Sequence, residues 1–398
     1  MPPLKKLLGL GAWCALGLFG LAYAIALNGT EPAPVSPYGA AQALSSAPRR
    51  DGVAIAPLRE ALTFARFRDA SGLRLMRVSR YEHGMVSGVD ITAAQPGGGE
   101  PDPITLWQRS DYEAIAAADG PAVSLPAAAL AVPFASTTAQ VGMGGTYPAH
   151  AGETRIPRPF VFPKLLAAQA WNVPVPSRTF LLDYEIELGV VALQALKPGE
   201  RPSHFGLVLA SDYTDRDRLL RDLNIGDVST GLAFAAAKSL VPAMPVGALF
   251  VIPKDVRTFH RKLELRLHVN DRLRQVAMPK DLTWDLDRML QETFARRDLA
   301  FPMGRNTVKL PIAADGTLPA RTILLSGTTD GVVVRPPSAR QLFIGVTQWL
   351  VSLRWTTPSL MVDRMLLEAH ADGHYLQPGD EVLMRAEYLG LIANTIVP

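Results

Sequence analysis

Apolar and polar positions divide the chain into three regimes. An uncharged apolar run extends from Leu7 to Leu27, with Lys5 and Lys6 just before it. At about 1.5 Å of helical rise per residue, this run can span a hydrocarbon core of roughly 30 Å. From Glu31 to Arg50 the chain is rich in Pro, Ala and Ser and has no apolar period, which reads as a tether. Beyond it, short segments alternate on a two-residue period and predict strands. Leu62 to Val78 reads as two strands joined at Asp69-Ala70-Ser71-Gly72. Leu263, Leu265, Leu267 and Val269 oppose Glu264, Arg266 and His268, a half-buried strand that turns at Asn270-Asp271. Val208-Leu209-Ala210 and Ile323-Leu324-Leu325 are further strands, and the last ones flank Pro378-Gly379-Asp380 and Tyr388-Leu389-Gly390. Helical spacing appears around Ser110–Ala117 and again through Phe343, Val346, Trp349, Leu350 and Leu353.

The stretch Leu182 to Val191 carries the densest chemistry. On a strand, Asp183, Glu185 and Glu187 share one face while Tyr184, Ile186 and Leu188 share the other. Three carboxylates so close repel one another, and a hard divalent cation removes that cost. A solvated strand face is the other reading of the spacing. Asp212, at the end of the strand Val208-Leu209-Ala210, is placed to add a third oxygen ligand, with Arg216 aimed at an anionic substrate. Upstream, a glycine-rich segment leads to Pro148, and a short helix there sets His150 and Glu153 on one face. That spacing fits a carboxylate-oriented general base and equally a surface ion pair. Lys238 emerges from the small-residue run Ala233–Ala237, either as a charge stabiliser or as a snorkelling lysine.

Composition narrows the classes. The 398 residues are 48% hydrophobic and 19% charged, which is globular and large enough for one large or two medium domains. The net charge of +3 is small and its Lys and Arg are scattered, which argues against nucleic acid as the main partner. The only cysteine, Cys14, lies in the apolar N-terminal run, so intrachain disulfides and cysteine-based zinc sites are excluded. An uncleaved anchor and a secretory signal both fit residues 1–28, and either one places the folded part outside the cytoplasm, in the periplasm of a bacterium.

Several segments together resemble the fumarylacetoacetate hydrolase family from about Leu62 to Val397. They include Thr146-Tyr147-x-x-His150-x-x-Glu153, Asp183-Tyr184-Glu185-Ile186-Glu187-Leu188 and Ser211-Asp212-x-x-x-Arg216-Asp217. Lys238-Ser239, Val269-Asn270-Asp271-x-x-Arg274-Gln275, Gly327-Thr328-x-x-Gly331-Val332 and Leu376-x-Pro378-Gly379-Asp380 follow in the family's order. The resemblance implies an α+β, β-rich mixed sandwich-like roll, commonly dimeric. On that basis residues 29–57 are a linker, 58–135 a small β-rich module, and 136–398 a catalytic domain with a helical insertion at about 336–372.

By carry-over, Glu185, Glu187 and Asp212 hold magnesium, or manganese or calcium. His150 and Glu153 form a proton-transfer dyad on a mobile lid. Lys238 and Arg216 bind the oxygens of a 2-oxo or β-dioxo acid, with Thr328 near its carboxylate. The implied activity is metal-dependent hydrolysis of a C–C bond, with decarboxylation or keto–enol isomerisation of a related acid as the neighbouring alternative. A different class, a membrane-tethered binding protein that keeps the fold without the turnover, is the second reading. Retention of both His150 and Glu153 favours the enzyme. Thr146 and Ser211 stand where the family has Asn, Asp215 where a small residue is usual, and Thr329-Asp330 where Pro-Glu is usual. The helical insertion reads either as a pair packed on the domain or a second subunit, or as an interfacial membrane element.

Overall fold

The computed structural model describes residues 3–32, 50–95, 97, 99–178, 181–224, 227–351 and 359–398, with the backbone alone at 3–15 and 359–361. Most of the expected tether lies outside the described residues, as does Leu353. The strands in chain order begin with β1 (Ala61–Asp69), β2 (Gly72–Glu82), β3 (Met85–Asp90), β4 (Ala122–Pro126), β5 (Leu130–Ala131), β6 (Gln140–Gly144) and β7 (Phe160–Lys164). Next come β8 (Val175–Pro176), β9 (Leu182–Asp183), β10 (Ile186–Val191), β11 (Gly206–Ser211), β12 (Thr214–Asp215) and β13 (Phe250–Pro253). The last are β14 (Leu265–Val269), β15 (Arg272–Ala277), β16 (Phe301–Met303), β17 (Asn306–Val308), β18 (Ile323–Leu325), β19 (Glu381–Ala386) and β20 (Gly390–Val397). Six helices matter below: α1 (Pro3–Asn28), α2 (Pro148–Thr154), α3 (Arg216–Asp222), α4 (Phe234–Ser239), α5 (Ala339–Val351) and α6 (Ser359–Asp372).

The chain forms two compact units, Met1–Pro34 with Arg335–His374 and Val35–Val334 with Tyr375–Pro398. In the larger unit, one sheet runs β4-β3-β2-β1-β13-β11-β10-β18-β6-β7 with β5 beside β1, and a second runs β15-β14-β19-β20-β8. Alternation along β1 builds two cores. Leu62 and Phe64 join Leu75, Val208, Phe250 and Ile323 in one cluster. Ala65 and Phe67 join Met76, Val78 and Leu249 in another. Successive strand residues point to opposite faces, so this sheet has a core on each side. The strands within 58–135 belong to the same sheet as the later ones, through the pairing of β1 with β13.

One expectation is corrected at the acidic stretch. Leu182 to Val191 is not one continuous strand: β9 pairs with β12, the chain leaves the ladder at Tyr184-Glu185, and β10 pairs with β11 and β18. The break has a local cause. The Asp183 carboxylate accepts from the backbone N–H of Tyr184 at 2.9 Å, and the interruption is confined to this point, since the Glu185 carbonyl still accepts from Asp212 N at 3.0 Å in the register of β9–β12 and β10–β11. Nor is any face of this stretch solvated, since all of Leu182–Val191 is buried.

The smaller unit is helical. Its α1 and α5 meet through Phe343, whose ring lies edge-on to Phe19 and Tyr23 at centroid distances of 5.5 and 6.3 Å. The expectation of a spanning helix is not met among the described residues, where no helix is long and apolar enough to cross a membrane.

Candidate metal and active site

The strand ladder assembles the acidic cluster. Ile186 lies opposite Ser211 in the β10–β11 register, which sets Glu185 and Glu187 on one side of the pair beside Asp212 at the end of β11. One carboxylate oxygen from each of Glu185, Glu187 and Asp212 lies within 4.8 Å of the other two, and all three side chains are buried. Asp183, expected on the same face, turns elsewhere. It accepts from Arg216 Nε at 2.8 Å and from the backbone N–H groups of Val333 and Val334. Its part is to hold Arg216.

Three buried cations compensate the acids. Lys238, on α4, sets Nζ 2.8 Å from Glu185 Oε2 and 2.7 Å from Asp212 Oδ2. Arg216, the first residue of α3, donates from Nη2 to Glu185 Oε1 at 2.6 Å. Lys164, the last residue of β7, is wholly buried and pairs with Asp212 Oδ1. Burial raises the Glu185 pKa, but Lys238 and Arg216 outweigh it and hold the carboxyl at about 2. Burial likewise lowers the pKa of Lys238, and Asp212, Glu185 and Glu187 overcome it, so this ammonium is held charged. For Lys164 burial wins, and with Lys238 nearby its pKa falls below the usual lysine value.

Four carboxylates thus face three cations, and the imbalance falls on Glu187. Burial, with Asp212 and Glu185 alongside, pushes its pKa well above the carboxylate range. Its Oε2 accepts from Gly327 N at 2.8 Å, while Oε1 is buried with no hydrogen-bond partner. An orphaned carboxylate oxygen in a cluster of oxygen donors fits a hard divalent cation, which supplies the missing positive charge.

The lid is short. Pro148 opens α2, and Arg155 closes it in the left-handed conformation at φ 57°. His150 is buried, with Nδ1 3.5 Å from Glu153 Oε2. The Glu153 carboxylate is anchored by Gly331 N–H, at 3.1 and 3.2 Å to its two oxygens. The loop that provides Gly331 also carries Thr328, whose hydroxyl donates to Ile186 O at 2.9 Å and accepts from Gln275 Nε2 at 2.9 Å. Glycine is required at position 327: its φ is +80°, and a Cβ there would lie 2.3 Å from Thr146 Oγ1. Thr146 itself donates to Ser326 O at 2.6 Å, tying the segment before α2 to this loop.

The structure therefore brings His150, Glu153, Glu185, Glu187, Asp212, Arg216, Lys238 and Thr328 into one region. Arg216, expected at the substrate, is engaged with the acids of the site. Its guanidinium serves Asp183 and Glu185. Two partners were given no role by sequence reasoning. Lys164 had a signal, a lone cation in the apolar strand Phe160–Lys164. Gln275 had one too, an amide on the inward side of β15, where it accepts from Ile186 N and donates to Thr328.

Comparisons with known proteins give the family and the fold. Residues 139–397 match the family model described as fumarylacetoacetate (FAA) hydrolase C-terminal. A mitochondrial oxaloacetate tautomerase of Oryza sativa subsp. japonica is 29% identical over 230 residues, covering 54% of this chain and 87% of that protein. A mitochondrial oxaloacetate tautomerase of Arabidopsis thaliana is 29% identical over 164 residues, covering 39% of this chain and 71% of its own length. Among solved structures, a fumarylacetoacetate hydrolase from psychrophilic Exiguobacterium antarcticum is similar at a TM-score of 0.52 and 18% identity, covering 84% of this chain and 99% of that one. A 5-carboxymethyl-2-hydroxymuconate delta-isomerase from Mycobacterium smegmatis is similar at 0.50 and 19%, with the same coverage. At those identities the structural likeness shows the fold.

Proposed function

Because the chain belongs to the fumarylacetoacetate hydrolase family, we propose that it is a divalent-metal-dependent enzyme that moves a proton beside the oxo group of a small 2-oxo or β-dioxo acid. The observation that carries this reading is the buried trio Glu185, Glu187 and Asp212, with Glu187 Oε1 left without a partner. A divalent cation held by these three carboxylates would supply Lewis-acid polarisation of the substrate's oxo group. The chain's own residues do the rest. Arg216 and Lys238 fix Glu185, Lys164 and Lys238 fix Asp212, and Gly327 N–H fixes Glu187. Lys238 neutralises negative charge as the enolate develops. His150 takes or returns the proton on carbon, with Glu153 beside Nδ1 leaving Nε2 for the exchange.

Keto–enol tautomerisation stands first among the outcomes. It needs a base and a polarised oxo group, and the plant relatives are named oxaloacetate tautomerases. Hydrolysis of a C–C bond, first by sequence resemblance alone, needs a positioned water in addition. The His150–Glu153 pair favours it as the second reading, since such a pair can also activate water. The N-terminal segment, with Lys5 and Lys6 before its apolar run, holds the folded part outside the cytoplasm on this reading, which cell fractionation checks.

The test pairs turnover with binding. Ketonisation of enol-oxaloacetate and cleavage of a β-dioxo acid are each followed by ultraviolet absorbance, and oxalate binding with and without magnesium by calorimetry. His150→Ala is expected to lower turnover by about 10²–10⁴-fold while magnesium-dependent oxalate binding persists. Glu185→Ala is expected to lose that binding. Unchanged turnover in His150→Ala removes His150 from the mechanism. Absence of oxalate binding with magnesium, manganese or calcium sinks the metal reading and leaves a non-catalytic binding protein.

A further inference from the structure

The smaller unit has a surface that a water-facing helical bundle does not need. Of the thirteen large apolar side chains that are exposed among the described residues, ten belong to it. They are ordered. Leu18, Leu21 and Ile25 form a stripe at helical spacing on α1, and Leu342, Val346 and Leu350 form another on α5. The opposite side of α5 is buried through Gln341, Ile344, Gly345 and Thr347. The outward stripes are therefore a second apolar face and not the core-facing one. No charged residue interrupts the sequence from Leu7 to Leu27 or from Gln341 to Val351.

Four charged side chains, Glu31, Arg340, Arg364 and Glu368, pair with one another at the C-terminal end of α1. Arg340 donates to Glu31 Oε1 at 2.7 Å and to Glu368 Oε2 at 2.5 Å, and Arg364 donates to Glu368 Oε1 at 2.7 Å. The same arginines cover the carbonyls that end α1. Arg340 Nη1 donates to Ala26 O at 2.8 Å and Gly29 O at 2.9 Å, and Arg364 Nη2 reaches Leu27 O at 3.4 Å. The last carbonyls of a helix have no partner within it, and at a hydrated end water serves them. Side chains are needed for this where water is scarce. A charge-free apolar face, a neutral polar end and internally satisfied helix carbonyls describe an element that meets hydrocarbon.

We infer that α1 and the inserted pair α5–α6 form one lipid-docking unit, whose Leu18–Ile25 and Leu342–Leu350 stripes enter the interface of a bilayer. The unit lies on the membrane and does not have to cross it. Lys5 and Lys6, ahead of the apolar run, bias the docking toward anionic headgroups. The insertion thus shares its partner with the N-terminal helix, and is not an ornament of the larger unit.

The experiment is flotation of the full chain with vesicles of phosphatidylethanolamine and phosphatidylglycerol, and separately of phosphatidylcholine. The variant Val346→Glu/Leu350→Glu changes two exposed side chains of α5, and a second variant carries Leu21→Glu/Ile25→Glu on α1. Wild type is expected to float with both vesicles, more with the anionic ones, and each variant to lose at least about tenfold of the bound fraction. Retained turnover and an unchanged main thermal transition show that the variants fold. If wild type stays with the lipid-free fraction, or the α5 variant floats as wild type does, the inference fails. It fails equally if sedimentation shows a wild-type dimer that the α5 variant makes monomeric without any change in flotation, for then the occupant is a second copy.

Discussion

Removing the guanidinium of Arg216 is the sharpest test of how the acidic site is held. Arg216 is 2% exposed and bridges Asp183 Oδ2 at 2.8 Å and Glu185 Oε1 at 2.6 Å. Arg216→Met keeps most of the volume and leaves Lys164 and Lys238 to balance Asp183, Glu185, Glu187 and Asp212. Breaking a buried pair by removing one partner costs about 3–5 kcal/mol, because a carboxylate remains desolvated and unpaired. Asp183→Asn should cost less, about 1–3 kcal/mol: with its amide oxygen at the Oδ2 position it still accepts from the Val333 and Val334 N–H groups and from Arg216 Nε, while the charge assistance and the Tyr184 N–H bond to Oδ1 are lost. The double variant should then be less destabilised than the sum of the singles, by about 0.5–3 kcal/mol. Denaturant titration at neutral pH reads all three, with calorimetry as a second measure. A loss below about 1 kcal/mol in Arg216→Met, or strict additivity in the double variant, refutes the view that this arginine neutralises the site. Normal stability with raised KM for the oxo acid would instead return Arg216 to the substrate.

Two further outcomes follow from the geometry. His260 is buried, its Nδ1 is 2.7 Å from Val256 O, and burial lowers its pKa below the usual 6.5. Its neutral ring therefore contributes stability that is present above pH 6.5 and lost as pH falls through the lower folded value. His260→Gln should flatten that part of the stability–pH curve, and an equally steep curve in the variant would clear His260 of the role. Gly327→Ala should destabilise by about 1–3 kcal/mol, since φ +80° is strained for alanine and Cβ meets Thr146 Oγ1. Thr146→Ala should restore part of that loss; no recovery would mean that backbone strain alone sets the cost.

Local signals located the site unevenly. The acidic stretch, the His150–Glu153 spacing and Lys238 are all short-range patterns, and each lies in the assembled region. The expected single strand from Leu182 to Val191 failed because alternation says where side chains point only while the ladder continues. Here Asp183 bonds the backbone of its own neighbour and the strand is interrupted at Tyr184-Glu185, although the flanking pieces keep one register. Arg216 reads as a substrate residue in the sequence, since nothing local reveals that Asp183 lies across from it. Lys164 and Gln275 were missed for the same reason: their partners Asp212 and Thr328 are 48 and 53 residues away along the chain.

What the sequence determined by itself is what neighbouring residues dictate to one another. Period-two alternation made the strands, glycine and polar pairs made the turns, and the run from Leu7 to Leu27 made an uncharged length of helix behind Lys5 and Lys6. Only the tertiary structure decided which charges compensate which. The β10–β11 register put Asp212 beside Glu185, and packing then buried Lys164, Lys238 and Arg216 against them. Charge balance in a desolvated site depends on through-space distance, and a linear chain carries no record of it until strands pair and helices pack. The same holds for the orphaned oxygen of Glu187, which is a carboxylate like any other until every neighbour that might have paired with it is bound elsewhere.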